Sequence, residues 1–211
     1  VAPDRVAIVE ALAKLPPKHR LAVVLRSGEL PRPDGVVRAF AYDLSDDGTA
    51  VGWDGGSRAL VWTADGAVRA LPGPQGLKVS AIAINGPWVV GAAAQPQGLD
   101  LPGSGQQAIR WDLRTGDYAE IPDILLAVGV TPRGWVLAHA RVEIKDSTTR
   151  SRFLHPPLVQ MPGKRIALPS PAGANQDDAG AQVVSDDGRT IAGEGKLPGS
   201  GHGTVIRWTC S

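Results

Sequence analysis

The chain has 211 residues, enough for one large domain or two small ones with a sizeable core. Its 22 basic and 21 acidic side chains nearly cancel, so no nucleic-acid partner is expected, and no stretch approaches the ~20 apolar residues that span a membrane. The single cysteine, Cys210, excludes an internal disulfide framework and a cysteine-based metal cluster, while 26 glycines and 18 prolines suit many short strands better than long helices.

The first thirty-five residues stand apart from the rest. Ile8, Leu12 and Leu15 recur at helical spacing, with Asp4 as a candidate N-cap and Pro16-Pro17 as a stop, which predicts a short helix over 4–15. Residues 1–19 are therefore read as an N-terminal helical segment and 20–211 as the main domain. The chain begins with Val1, consistent with an upstream segment having been removed. The apolar run "RLAVVLR" (20–26) follows as strand or helix. The stretch "EALAKLPPKHRLAVVLR" (10–26) is similar to the start of region 4 of extracytoplasmic-function sigma factors. That likeness would make the chain a regulatory domain attached to a sigma-like transcription protein. The recognition helix that should follow is missing, because "SGELPRPDGVVRAF" (27–40) carries two prolines and two glycines. The preferred reading takes "HRLAVVLRSGELPRPDG" (19–35) as a degenerate copy of "RALVWTADGAVRALPGPQG" (58–76).

That second phrase belongs to a repeat. "AYDLSDDGTAVGW" (41–53) returns as "AIAINGPWVVG" (81–91), as "AVGVTPRGWVLAHA" (127–140) and as "AQVVSDDGRTIAG" (181–193). Three are followed by a strand of the "ALVW" or "AIRW" kind, and three by a strand ending in Leu-Pro or Ile-Pro. Gly52 and Gly91 lie 39 apart and Trp62 and Trp111 49 apart, a spacing that suits four short strands per unit. Asp47-Gly48, Asp65-Gly66, Thr115-Gly116, Pro162-Gly163 and Asp187-Gly188 place glycine where a tight hairpin needs a positive φ. The third unit departs from the pattern. It has Ala138-His139 where the others have a glycine, and His155-Pro156 near the expected place of the tryptophan, so its strand count stays open.

On these motifs residues 36–208 resemble the HAF-type extracellular repeats, a group of bacterial β-propeller repeats. The resemblance implies an all-β fold, a small propeller of four four-stranded blades, extracellular or attached to the cell envelope; if residues 10–26 are meaningful as a sigma-like segment, the location is cytoplasmic. The last unit ends at its third strand, "TVIRW", so residues 20–32 are the natural donors of a strand that closes the ring. If they form a sheet of their own, the count is five. Trp62, Trp111 and Trp208 share one repeat position and read as packing anchors between blades, whereas Trp53, Trp88 and Trp135 share no register.

No nucleophile elbow, zinc-helix motif, phosphate loop or paired-cysteine motif is present, and no catalytic, cofactor or metal residue is assigned. His19, His139, His155 and His202 are scattered; a metal pair at His139 and His155 lacks an obvious third ligand. Asp46-Asp47 and Asp186-Asp187 would suit calcium, but turn-closing hydrogen bonds explain them without metal. "RVEIKDSTTRSR" (141–152) reads as a solvated hairpin and the best candidate for a partner-binding projection. The loops 94–107 and 193–203 share "LPGSG" and should protrude on one side. Cys210 is expected to be a small buried or frayed terminal residue, a reactive thiol being the alternative. The expected function is a non-catalytic binding module that engages a protein or small molecule at its loop rim or central funnel. The alternative is a propeller hydrolase or lyase with a funnel active site.

Overall fold

The computed structural model describes residues 31–36, 38–95, 106–145, 151–171, 179–196 and 203–210, and these form antiparallel strands joined by turns, with no helix among them. The helix expected over 4–15, the sigma-like stretch and all of the expected closing strand except Pro31 and Arg32 lie outside the described residues.

The first sheet runs β1 (Phe40–Leu44), β2 (Ala50–Trp53), β3 (Ala59–Trp62) and β4 (Val68–Ala70), paired in chain order. The second repeats the order with β5 (Lys78–Asn85), β6 (Trp88–Ala94), β7 (Gln107–Asp112) and β8 (Tyr118–Ile121). In the third, β9 (Ile124–Val130) and β10 (Val136–Ala140) are followed by a separate hairpin, β11 (Val142–Lys145) and β12 (Ser151–Leu154), before β13 (Pro157–Met161) and β14 (Lys164–Ala167) complete it. The strand count left open by the sequence is therefore four, and the charged insert is the expected hairpin. The fourth sheet has three strands among the described residues, β15 (Ala179–Val184), β16 (Thr190–Lys196) and β17 (Gly203–Thr209).

The repeat extends to irregularities. The first strand of every sheet carries one extra residue at the same place, so Tyr42, Ile82, Val128 and Gln182 have no partner opposite them. Such bulges bend a strand and raise its twist. The bulge brings a carbonyl against the second strand. A methyl group on Gly91 would stand 1.9 Å from the Ser80 carbonyl oxygen, and Gly52 and Gly193 meet the same obstacle. Ala138 holds this position in the third sheet, where the pairing has a further register shift at Leu125.

The first three sheets are apolar on both faces, and successive sheets cover one another in turn. Val51, Val61, Ala81, Val89, Ile109 and Trp111 form the core between the first and second sheets. Val90, Ala108, Ile124, Val136 and Leu158 fill the space between the second and third. Leu137, Val159, Ala181, Ile191 and Trp208 do so between the third and fourth. A side chain such as Ile109, fully buried here, contributes about 1.5–3 kcal/mol. The far face of the fourth sheet differs. Val205 is 82% exposed, yet its counterparts by register, Ala59 and Ala108, are fully buried.

Gly91→Ala is expected to lower stability by about 3 kcal/mol, because backbone rather than a movable side chain blocks the added methyl group. The midpoint of urea unfolding measures it.

Candidate functional site

The bulged first strands converge. β1, β5, β9 and β15 together line one cleft of about 260 Å³, into which come Asp43, Asp46, Asn85, Gln182 and Asp186. The polar lining is acidic. Asp43 is held by two backbone N–H groups, those of Leu44 and Ile84, each 2.8 Å from a carboxylate oxygen, so it ties the first sheet to the second. Asn85 Nδ2 donates to Asp186 Oδ1 at 2.7 Å and ties the second sheet to the fourth. Sequence reasoning missed Asp43 and Asn85. The signal that could have found them is their place at and just beyond a recurrent bulge.

The two aspartates of each Ser-Asp-Asp-Gly turn have separate tasks. The second one closes the turn: Asp47 accepts from the Thr49 N–H at 2.9 Å, and Asp187 accepts from Ser185 Oγ at 2.6 Å and the Arg189 N–H at 2.9 Å. The Ser185 hydroxyl, with the Arg189 N–H after it, holds the Asp187 carboxyl below the usual carboxylate range. The first one, Asp46 or Asp186, lines the cleft. Gly48 and Gly188 take φ of 91° and 72°, as the hairpin chemistry predicts. Among the described residues no group of three His, Cys, Asp or Glu side chains is placed to hold a metal ion.

The three register-sharing tryptophans are anchors of one kind. Trp111 Nε1 donates to the Pro72 carbonyl at 2.6 Å, Trp208 Nε1 to Pro169 at 2.8 Å and Trp62 Nε1 to Pro31 at 2.8 Å. Each proline follows a Leu, and in the first two cases it lies just beyond the outermost strand of the preceding sheet. In the third sheet the tryptophan's place is not near His155-Pro156, as expected, but at Gln160, which pairs with Val136 as Trp111 pairs with Val89. The intervening hairpin shifts the count and hides this from a sequence alignment.

A second expectation is also corrected. Trp88 and Trp135 do share a register, each standing immediately before the second-strand residue opposite the repeat's tryptophan position, Val89 opposite Trp111 and Val136 opposite Gln160. Arg110 and Arg114 lie over Trp88 at 4.7 and 4.9 Å, and Arg133 lies over Trp135 at 5.3 Å. The turn glycine of the next sheet sits on each ring, since a methyl group on Gly134 would meet Trp88 at 2.9 Å and one on Gly188 would meet Trp135 at 2.7 Å. Trp53 is of another kind and stacks on Phe40 at 5.9 Å.

His139 and His155 do lie together, with Glu194, around a cleft of about 440 Å³ between the third and fourth sheets. His139 Nδ1 lies 3.2 Å from the His155 carbonyl and Nε2 lies 3.0 Å from the Ala181 carbonyl. Both ring nitrogens face backbone carbonyls, and the one that carries the proton donates, so the imidazole is held at the joint of the third and fourth sheets. His19, His202 and both "LPGSG" stretches lie outside the described residues. Cys210 is exposed, and its N–H is bound by the Arg189 carbonyl. No helix among the described residues is long and apolar enough to cross a membrane. Comparison with protein-family models, curated proteins and solved structures finds no match to the chain.

The depressed Asp187 carboxyl fixes the sign of a pH effect. Its contribution is complete above the ordinary value of 3.8 and is lost as pH falls through the lower folded value. Asp187→Asn is therefore expected to be less stable than the native chain at neutral pH and to lose that deficit in acid, as paired unfolding curves across pH will show.

Proposed function

We propose that the sheets are blades of a β-propeller and that the chain is a non-catalytic binding module. The observation that carries this reading is the convergence of four equivalent first strands on one acidic cleft, joined across it by Asn85 and Asp186. Serial packing of the sheets and the repeated indole-to-proline bond support it. Among the described residues the cleft gathers carboxylates and amides with no imidazole or thiol in its lining, which favours recognition over turnover. Carboxylates in a recess suit a ligand that carries an amine or guanidinium group. The location that goes with this reading is the cell exterior or envelope.

Trp62 engages Pro31 as Trp111 engages Pro72. The first sheet's outward cluster of Ala50, Leu60 and Trp62 is buried while Val183 and Val205 of the fourth sheet are exposed, so those two faces do not cover one another.

Calorimetric titration with a panel of primary amines and guanidinium compounds tests the binding reading. Single-site binding of at least one member is expected, weakened about tenfold by Asp43→Asn or Asp186→Asn, the loss of a charged partner. Equal affinity in both variants would remove the cleft from the proposal. Turnover of an ester, amide or glycoside that Asp186→Asn abolishes would turn it toward an enzyme.

A further inference from the structure

The third sheet breaks the repeat at one position, and the break leaves a shape. At the other joints an indole fills the space between a sheet and the Leu-Pro before it, and Trp62, Trp111 and Trp208 are each no more than 8% exposed. Gln160 stands in that place in the third sheet, but the socket around it is still built. Val136 lies beneath as Val89 lies beneath Trp111, and Ile121-Pro122 closes the side as Leu71-Pro72 does. The result is a hollow of about 440 Å³ between the second and third sheets, within the size range of small-ligand sites, about 300–1,000 Å³.

Gln160 does not fill this hollow; it organises its polar edge. Its Oε1 accepts from Arg165 Nε at 2.6 Å, and its Nε2 donates to the Met161 carbonyl at 2.6 Å. Arg165 Nη2 in turn donates to the Pro122 carbonyl, the group that would have received the indole N–H. Asp123 lies 3.6 Å from Arg165 Nη1, on the outer side. Arg110 and Lys164 also line the hollow, with Glu120 as the one carboxylate of the lining, so the net charge there is positive. Arg110 stands where the first sheet has the buried Val61 and the fourth has Arg207.

We infer that this hollow is a binding site for a small planar aromatic anion. The ring occupies the place of the missing indole against Ile121 and Val136, and the carboxylate meets Arg165 and Lys164. The site is separate from the acidic cleft and has the opposite charge preference, so it stands whether or not the cleft binds a ligand.

Ile121 lines the hollow and belongs to the core between the second and third sheets, which gives a direct probe. The full chain with ¹³C-labelled isoleucine methyl groups, Ile121 among them, is titrated with indole-3-carboxylate. A saturable, single-site shift of the Ile121 methyl resonances is expected. Gln160→Trp, which supplies the ring from within, is expected to abolish it. Arg165→Ala is expected to weaken the carboxylate probe about tenfold, the cost of one charge-assisted hydrogen bond, while changing affinity for indole itself less. No shift, a shift that does not saturate, one that survives Gln160→Trp, or one indifferent to Arg165→Ala overturns the proposal. If Gln160→Trp does not fold, nuclear Overhauser contacts between the probe ring and the Ile121 methyl groups in the native chain decide: their presence supports the site and their absence overturns it.

Discussion

A sheet that is apolar on both faces has to be covered twice, and this requirement organises the molecule. Each of the first three sheets carries small or branched apolar residues front and back, so none can stand alone. Side-chain size is graded across the joints. Ala81, Ala83, Ala127 and Ala181 lie on first strands, where neighbouring sheets converge on the cleft, while Trp111 and Trp208 lie on third strands, where a larger side chain is needed to bridge the gap. The indole N–H then finds a proline carbonyl that has no place in either sheet's ladder, so the widest filler also satisfies an otherwise unused acceptor.

Much of this was legible in the residues. The Gly turns, the recurring tryptophan and the paired "SDDG" corners located the four sheets, and the last one does end on its third strand among the described residues. The bulges were not legible, because an extra residue in one strand looks like ordinary spacing until its partner is known. The same blindness hid Asp43 and Asn85, whose importance comes from strands far apart in sequence. It also misplaced the third unit's missing indole, since the hairpin between β10 and β13 made His155 look like the matching position when register assigns Gln160. Trp88 and Trp135 looked unrelated for a similar reason, because the turns before them differ in length.

Positions that depart from a repeat are free of the packing rule that fixes the others, and chemistry collects there. The cleft draws Asp46 and Asp186 from the one turn position that the first and fourth sheets share, and adds Asp43 from β1 and Asn85 from the end of β5. The hollow beside Gln160 exists because one filler was exchanged for a polar residue while the surrounding walls kept their form. Two recesses of opposite charge thus sit on one scaffold without sharing a lining residue.

The hairpin of β11 and β12 has a meaning beyond its own composition. It departs after Ala140 and returns at Pro157, and His139 and Pro157 still sit opposite each other as though nothing intervened. Each doubling of such an excursion costs only about 0.6 kcal/mol in closure entropy. The chain can be lengthened at this point without reworking the layers on either side, which makes it a natural port for grafting a foreign module onto the scaffold.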